Sequence, residues 1–387
     1  MSTLRYRPEI GWLFQAAMLI FVVTVAIGVL NGTKVLGTLD RAVLLTHVHA
    51  GTLGWITLGV VAVCLWMFGG AAPRAANESV VRGLVVTMVL AVPVYVAAFF
   101  SGNFVARAIL SVPVLAGIVL LLGWVAMETR HIGLGRLTVP QLSAFAGVTT
   151  LVVGSTLGVY AQFGFASGEL FDAGAAIGGH VSAQVVGYLV LMGMALIEWI
   201  RRPDGGPASL AGRIQVGLLF LGGLLIAVAL LLNNQQAAGP SVLFELVALV
   251  IFLVRIGWNS VRTSWTAVGS ARHAAAAVPF SDFSQVPRSV GITLDHAMFV
   301  GVMTNLNFAM LYRLTAARSS VLRWADNWIF WGLNSGVAAF IVVLLFDITF
   351  FERFTAPIMG AAILLGLVTY AARLRGGPTP AAAPAPA

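Results

Sequence analysis

The chain has 387 residues, of which 59% are hydrophobic and 9% charged, with a formal net charge of +8 and a mean hydropathy of +0.95. This composition is far from that of a water-soluble globular domain and reads as an all-α, polytopic membrane protein, whose first partner is the lipid bilayer. The 22 basic residues are scattered in short loops between apolar runs, where they orient membrane proteins, so no nucleic-acid partner is expected. The lone Cys64 leaves no disulfide framework, no c-type heme attachment site and no cysteine cluster, so any metal must be held by histidine or oxygen.

The N-terminal stretch "MSTLRYRPEIGW" carries two arginines and runs into an apolar segment without a small-residue cleavage site, which reads as a retained first helix. A helix needs about 20 apolar residues to span the hydrocarbon core. In chain order the segments that qualify are Trp12–Leu30, Leu44–Phe68, Val80–Phe100, Ala106–Met127, Leu142–Gln162, Ala176–Trp199, Ile214–Leu232, Val242–Ser260, Ile292–Tyr312, Trp328–Phe346 and Phe354–Ala372. Between the eighth and the next lies Ser264–Phe280, "SWTAVGSARHAAAAVPF", which is short and carries Arg272 and His273.

The distribution of positive charge decides whether that segment crosses. If it does, most arginines from Arg5 to Arg375, including Arg74 and the cluster Arg313, Arg318 and Arg323, fall on the inner side. Lys34, Arg41, Arg107, Arg288 and Arg353 remain outside, beside Asp40, Glu169, Asp172, Asp282, Asp347 and Glu352. About twelve helices follow, the ninth short and partly polar, in a bacterial-type inner membrane with both termini cytoplasmic. The tail "GGPTPAAAPAPA" from Gly376 is low-complexity and reads as disordered.

A weak repeat runs through the chain. "HVHAGTLGW" from His47 and "HVSAQVVGY" from His180 share His, Val, Ala and Gly at the same offsets before an aromatic residue, and "HAMFVGVMTNLNF" from His296 is a fainter third copy. The spacings leave room for three four-helix sets, over about 12–127, 142–260 and 264–372 of a single domain 1–375, each with a histidine near the outer start of its second helix.

His131 follows the fourth helix and reads as a solvated loop residue. His47, His49, His180 and His296 lie inside apolar segments, where ionisable residues tend to mark functional sites. Their competing role is polar packing between helices. At about 100° per helical residue, His47 and His49 point some 200° apart, so they address two neighbours on opposite sides of the second helix. That suits two separate sites, each completed by a histidine of another repeat. Heme is the natural occupant, since it takes one or two axial imidazoles and fills an apolar slot between helices. Gly51, Gly54, Gly178, Gly179 and Gly187 would make space for a flat macrocycle, or serve close helix packing.

This arrangement resembles subunit I of the heme-copper oxidase and nitric oxide reductase superfamily. "LLTHVHAGTLGWITLGVVAVCLWMF" looks like that family's second helix, which supplies an axial ligand to the low-spin heme, here His47 or His49. The resemblance implies His296 as the partner ligand on the tenth helix, and His180, with His49 or His47, as a ligand to a second heme, a copper or a non-heme iron. The chain departs from the family in three places. The His-x-His pair stands on the second helix rather than the tenth, the seventh helix has no histidine, and Gln184 stands where a crosslinked tyrosine is found, with Tyr188 a turn further on.

Glu245, within "VLFELVALVIFLVR", is a proton-relay candidate or a partner for Arg255, and Arg272 is a candidate propionate contact. Asn305 and Asn307 read as interhelical hydrogen-bonding residues. The function expected is that of a heme b protein, with one or two hemes, in electron transfer or in reduction or sensing of nitric oxide or oxygen. Electrons would come from a quinol or a separate cytochrome or copper protein. The alternatives are a transporter or heme- or metal-handling protein, and a non-catalytic relic of the fold.

Overall fold

The computed structural model describes all residues except 1–3, 71–74, 170–171, 203–204, 258–261, 263, 267, 278–287 and 376–387. Arg74, Asp282, the end of the expected ninth segment and the tail from Gly376 therefore lie outside the described residues. Among those described there is helix and no strand. The helices are α1 (Arg7–Thr33), α2 (Arg41–Phe68), α3 (Ala75–Phe100), α4 (Phe104–Ile132), α5 (Val139–Ser167), α6 (Ala173–Ser182, Ala183–Leu189 and Val190–Arg201) and α7 (Leu210–Leu231). They continue as α8 (Gln235–Phe252 and Leu253–Gly257), α9 (Ser270–Ala277), α10 (Arg288–His296, Ala297–Thr304 and Asn305–Leu314), α11 (Ala325–Leu345) and α12 (Glu352–Arg375).

Among the described residues, ten helices are long and apolar enough to cross a membrane, all but α9 and α10. α10 is nevertheless continuous from Arg288 to Leu314. Side chains set where several helices begin: Asp40 accepts from the Ala42 N–H at 2.7 Å, Asn103 from Ala106 at 2.9 Å, and Asp172 from Ala175 at 2.9 Å. Thr138 and Gln141 close a capping box at the start of α5. These caps satisfy the free N–H groups that open a helix.

α2 and α6 are the interior of the bundle. In each, 78% of the most apolar stretch is buried inside the protein, against 28–50% in the other eight long helices. Those others present Leu19, Leu90, Val254 and Val368 outward, as lipid-facing helices do. Hydrocarbon gives no hydrophobic push between helices, so close contact and hydrogen bonds hold the interior. At the α6/α7 crossing Gly223 lies so near the Gly187 backbone that a Cβ there would clash with its Cα.

α8 ends beside the end of α6, where Arg202 donates to the Arg255 carbonyl at 2.9 Å and Arg255 pairs with Glu198. α10 begins at the other end of the bundle, with His296 beside His47 near the start of α2. The chain therefore changes ends between Gly257 and Arg288. α9 is the helix described within that stretch, buried against α6 and the last turns of α10.

Candidate functional site

Three helices change character at matching points. α2, α6 and α10 each contain a π-helical stretch, Ala50–Thr57, Ala183–Leu189 and Ala297–Thr304. Each opens on Ala-x-x-(Leu or Val)-Gly, and a π stretch widens the helix and re-aims its side chains, often at functional sites. The Thr57 and Thr304 hydroxyls donate to the carbonyls five residues earlier, Thr52 at 2.9 Å and Phe299 at 3.0 Å. These threonines also tie the helices together. The Trp55 indole N–H donates to Thr304 Oγ1 at 3.1 Å, and the Tyr188 hydroxyl to Thr57 Oγ1 at 3.4 Å.

The four membrane histidines fall into two kinds around these stretches. His47 and His180 stand three residues before the π stretch, and each donates Nδ1–H to a carbonyl of the preceding helix, His47 to Thr24 at 2.8 Å and His180 to Gly154 at 2.7 Å. Four residues beyond each carbonyl is a glycine against the ring: a Cβ on Gly28 would meet His47 Cε1 at 3.0 Å, and one on Gly158 would meet His180 Cε1 at 2.9 Å. His49 and His296 stand directly before the π stretch and donate Nδ1–H to their own helix, to Leu45 and Ile292, each at 2.8 Å. Each leans on a phenylalanine of the following helix. His49 stacks on Phe99 with ring centres 3.7 Å apart, and His296 lies 5.0 Å from Phe340.

The register differs from the one read in the sequence. The third repeat copy aligns His296 with His49, through His-Ala-x-x-(Leu or Val)-Gly-x-x-Thr, and not with His47. Sequence comparison from the first histidine of each copy missed this because the π stretch, rather than the histidine, is the shared landmark. On α6 the position equivalent to His49 is Ser182, and on α10 the position equivalent to His47 is Leu294.

A carbonyl can only accept, so each of these four imidazoles must carry its proton on Nδ1, and Nε2 keeps its lone pair. That is the orienting bond seen behind histidines that bind metals. All four line one cavity of about 850 Å³ between α1–α6 and α10–α12. Within it His47 lies in electrostatic range of His296, and His49 in range of His180. Each pair joins one histidine of each kind, so two slots of the same construction flank α2, one toward α10 and one toward α6. Among the described residues no three His, Cys, Asp or Glu side chains gather as an ion site. A pair of neutral imidazoles lining an apolar cavity is a donor set that suits a heme, which needs only one or two protein ligands, and the cavity is within the usual ligand-site range of about 300–1,000 Å³.

Other expected site residues have different surroundings. Arg272 does not line the cavity; its guanidinium donates to Asn327 Oδ1 at 2.9 Å and the Asp326 carbonyl at 2.7 Å, and lies over Phe330. Glu245 is buried between α7 and α8, accepting from the Ser241 hydroxyl at 2.6 Å, away from the cavity. Arg255 is taken by Glu198 and Gln215 rather than by Glu245. Gly54 packs on Ile20, Gly178 on Leu230, Gly179 on the Ala227 carbonyl and Gly187 on Thr150, so these serve helix packing, while Gly51 lines the cavity. Asn305 and Asn307 do bridge helices, to Asn334 at 2.9 Å and to the Trp55 carbonyl at 3.1 Å. His273 is fully buried and donates to Asn305 Oδ1 at 2.8 Å, and His131 is exposed.

The sequence reading passed over Thr24, Gly28, Gly158, Phe99, Phe340 and Arg107, which complete the two slots. Gly28 and Gly158 had one legible signal, their place four residues after the carbonyls at Thr24 and Gly154, but that signal needs the helix pairing to be read. No protein-family model matches the chain, and no curated protein does.

Proposed function

We propose that the chain is a heme b electron-transfer protein of the membrane, similar in plan to subunit I of the heme-copper oxidase and nitric oxide reductase superfamily. Its two slots, His47 with His296 and His49 with His180, each hold one heme. The observation that carries this reading is the orientation of four imidazoles. Each spends Nδ1–H on a backbone carbonyl, which leaves Nε2 its lone pair, and all four rings line the same cavity.

Heme supplies one-electron chemistry at its iron when bound. The protein's part is to hold two imidazoles per slot in a fixed tautomer. Helix-packed apolar walls formed by Phe21, Val25, Ile118 and Ile363 keep the slots in a low-dielectric setting. His47 with His296, and His49 with His180, would be the protein ligands of the iron, and a slot that offers two imidazoles supports electron transfer over gas reduction or sensing, and over a copper or non-heme iron centre. The three-set plan of twelve helices is supported by the recurring π stretches. In this reading the histidine end faces outward from a bacterial inner membrane, both termini are cytoplasmic, and a quinol or a separate redox protein donates electrons.

The deciding experiment is an optical spectrum of the purified protein, oxidised and dithionite-reduced, with a pyridine hemochrome assay. Sharp b-type bands, two hemes per chain and no shift with carbon monoxide are expected. A carbon monoxide shift in the fresh protein would reassign one slot to gas binding, and a colourless folded preparation would leave the transport or relic readings.

A further inference from the structure

Among the described residues, the slot toward α6 contains an arginine with no ion-pair partner. Arg107, near the start of α4, is 5% exposed and lines the cavity. Its Nε has no hydrogen-bond partner, and its guanidinium lies over Phe99 at 4.3 Å and Phe104 at 4.9 Å. The nearby charged group is another cation, Arg41. The acids that line the cavity are engaged or placed elsewhere, Asp40 as the cap of α2 and Asp295 beside His296 in the other slot. A guanidinium stays charged at any pH the protein meets, and burying one without an anion is costly.

We propose that Arg107 receives a carboxylate of the group bound between His49 and His180, namely a heme propionate. The inference rests on the heme reading above. Phe99 connects the two ends of the slot, since the same ring carries the stacked His49 imidazole and the Arg107 guanidinium. The planar fork of arginine matches a carboxylate's two oxygens, so Arg107 neutralises the acid and sets which edge of the macrocycle enters first. The slot toward α10 offers Asp295 rather than a buried arginine, so the two slots differ in charge although their histidines match.

The test uses the full chain, expressed without heme and titrated in detergent with hemin or with hemin dimethyl ester, which lacks free carboxylates. The wild type is expected to take hemin at one of its two sites at least about tenfold more tightly than the ester, as befits a charged hydrogen bond. Arg107→Met should remove that preference, leave the other site unchanged and lower the reduction potential of one heme. Arg107→Gln is read the same way if the methionine variant does not fold. A wild type that binds neither porphyrin fails the heme reading itself. A wild type that binds both equally, or an Arg107→Met variant that keeps the preference, overturns the role of Arg107 and leaves the heme reading standing.

Discussion

His49 and His296 occupy the same place on two different helices. Each donates Nδ1–H to the carbonyl four residues earlier at 2.8 Å, and each is followed at once by a π-helical stretch. The equivalent relation holds between His47 and His180, so the two slots are two copies of one construction. Alanine substitutions should therefore act in pairs. His47→Ala and His296→Ala are expected to remove the same spectral component, and His49→Ala and His180→Ala the other. Low-temperature reduced-minus-oxidised spectra of the four variants check this, and loss of different bands within a pair would break the pairing.

Gly28 and Gly158 let the rings of His47 and His180 lie against the preceding helix. A methyl group on Gly158 would sit 2.9 Å from His180 Cε1, and one on Gly28 would sit 3.0 Å from His47 Cε1. The ring must then move and its bond to the carbonyl lengthen. Gly158→Ala and Gly28→Ala should each weaken heme binding at one slot by about 10–100-fold, the usual cost of disturbing a ligand's supporting bond. Hemin titration of each variant measures it, and unchanged affinity would show that the rings have slack.

The opposite end of the bundle depends on a different pair. Arg373 and Asp326 are joined by two bonds of 2.9 Å, with side chains 0% and 2% exposed. Asp326→Asn keeps the shape but removes the carboxylate charge paired with a buried guanidinium, leaving it neutral oxygens such as the Val321 and Ser319 carbonyls. A loss of about 3–5 kcal/mol is expected, read as a lower thermal midpoint in detergent. The histidine slots lie at the far end, so the heme spectrum of the variant should match the wild type below its midpoint.

Orientation is open to direct labelling. In a Cys64→Ser background, Val35→Cys reports the loop between α1 and α2, Leu134→Cys the loop after α4, and Ser320→Cys the loop after α10. A membrane-impermeant maleimide should label Val35→Cys in intact cells, and the other two only after permeabilisation. Labelling of Leu134→Cys and Ser320→Cys from opposite sides would contradict a change of ends between Gly257 and Arg288.

The helices and the four histidines were legible because they depend on local runs: a stretch such as Val80–Phe100 is apolar whatever lies beside it. What the sequence left open depends on which helix lies next to which. The assignment of His47 to His296, and of His49 to His180, needs the packing of α2 between α6 and α10. Among 42 glycines nothing marks Gly28 and Gly158 until the imidazoles are placed against them. Arg107 reads as an outer charge because it stands at the very start of the segment Ala106–Met127, yet α4 starts at Phe104 and carries it into the cavity wall. Arg272 and Glu245 drew attention as charges in apolar runs, and each proves to be held by polar neighbours away from the cavity.

Ser182 and Leu294 stand where a third pair of imidazoles would complete the pattern between α6 and α10. Three equivalent slots would close a triangle, in which no corner differs from another. With one side missing, the figure is a line with α2 at its middle and two distinct ends, and a line has a direction. His47 and His49 stand two residues apart on α2, so a single turn of that helix carries one member of each pair and is where the line bends from one end to the other.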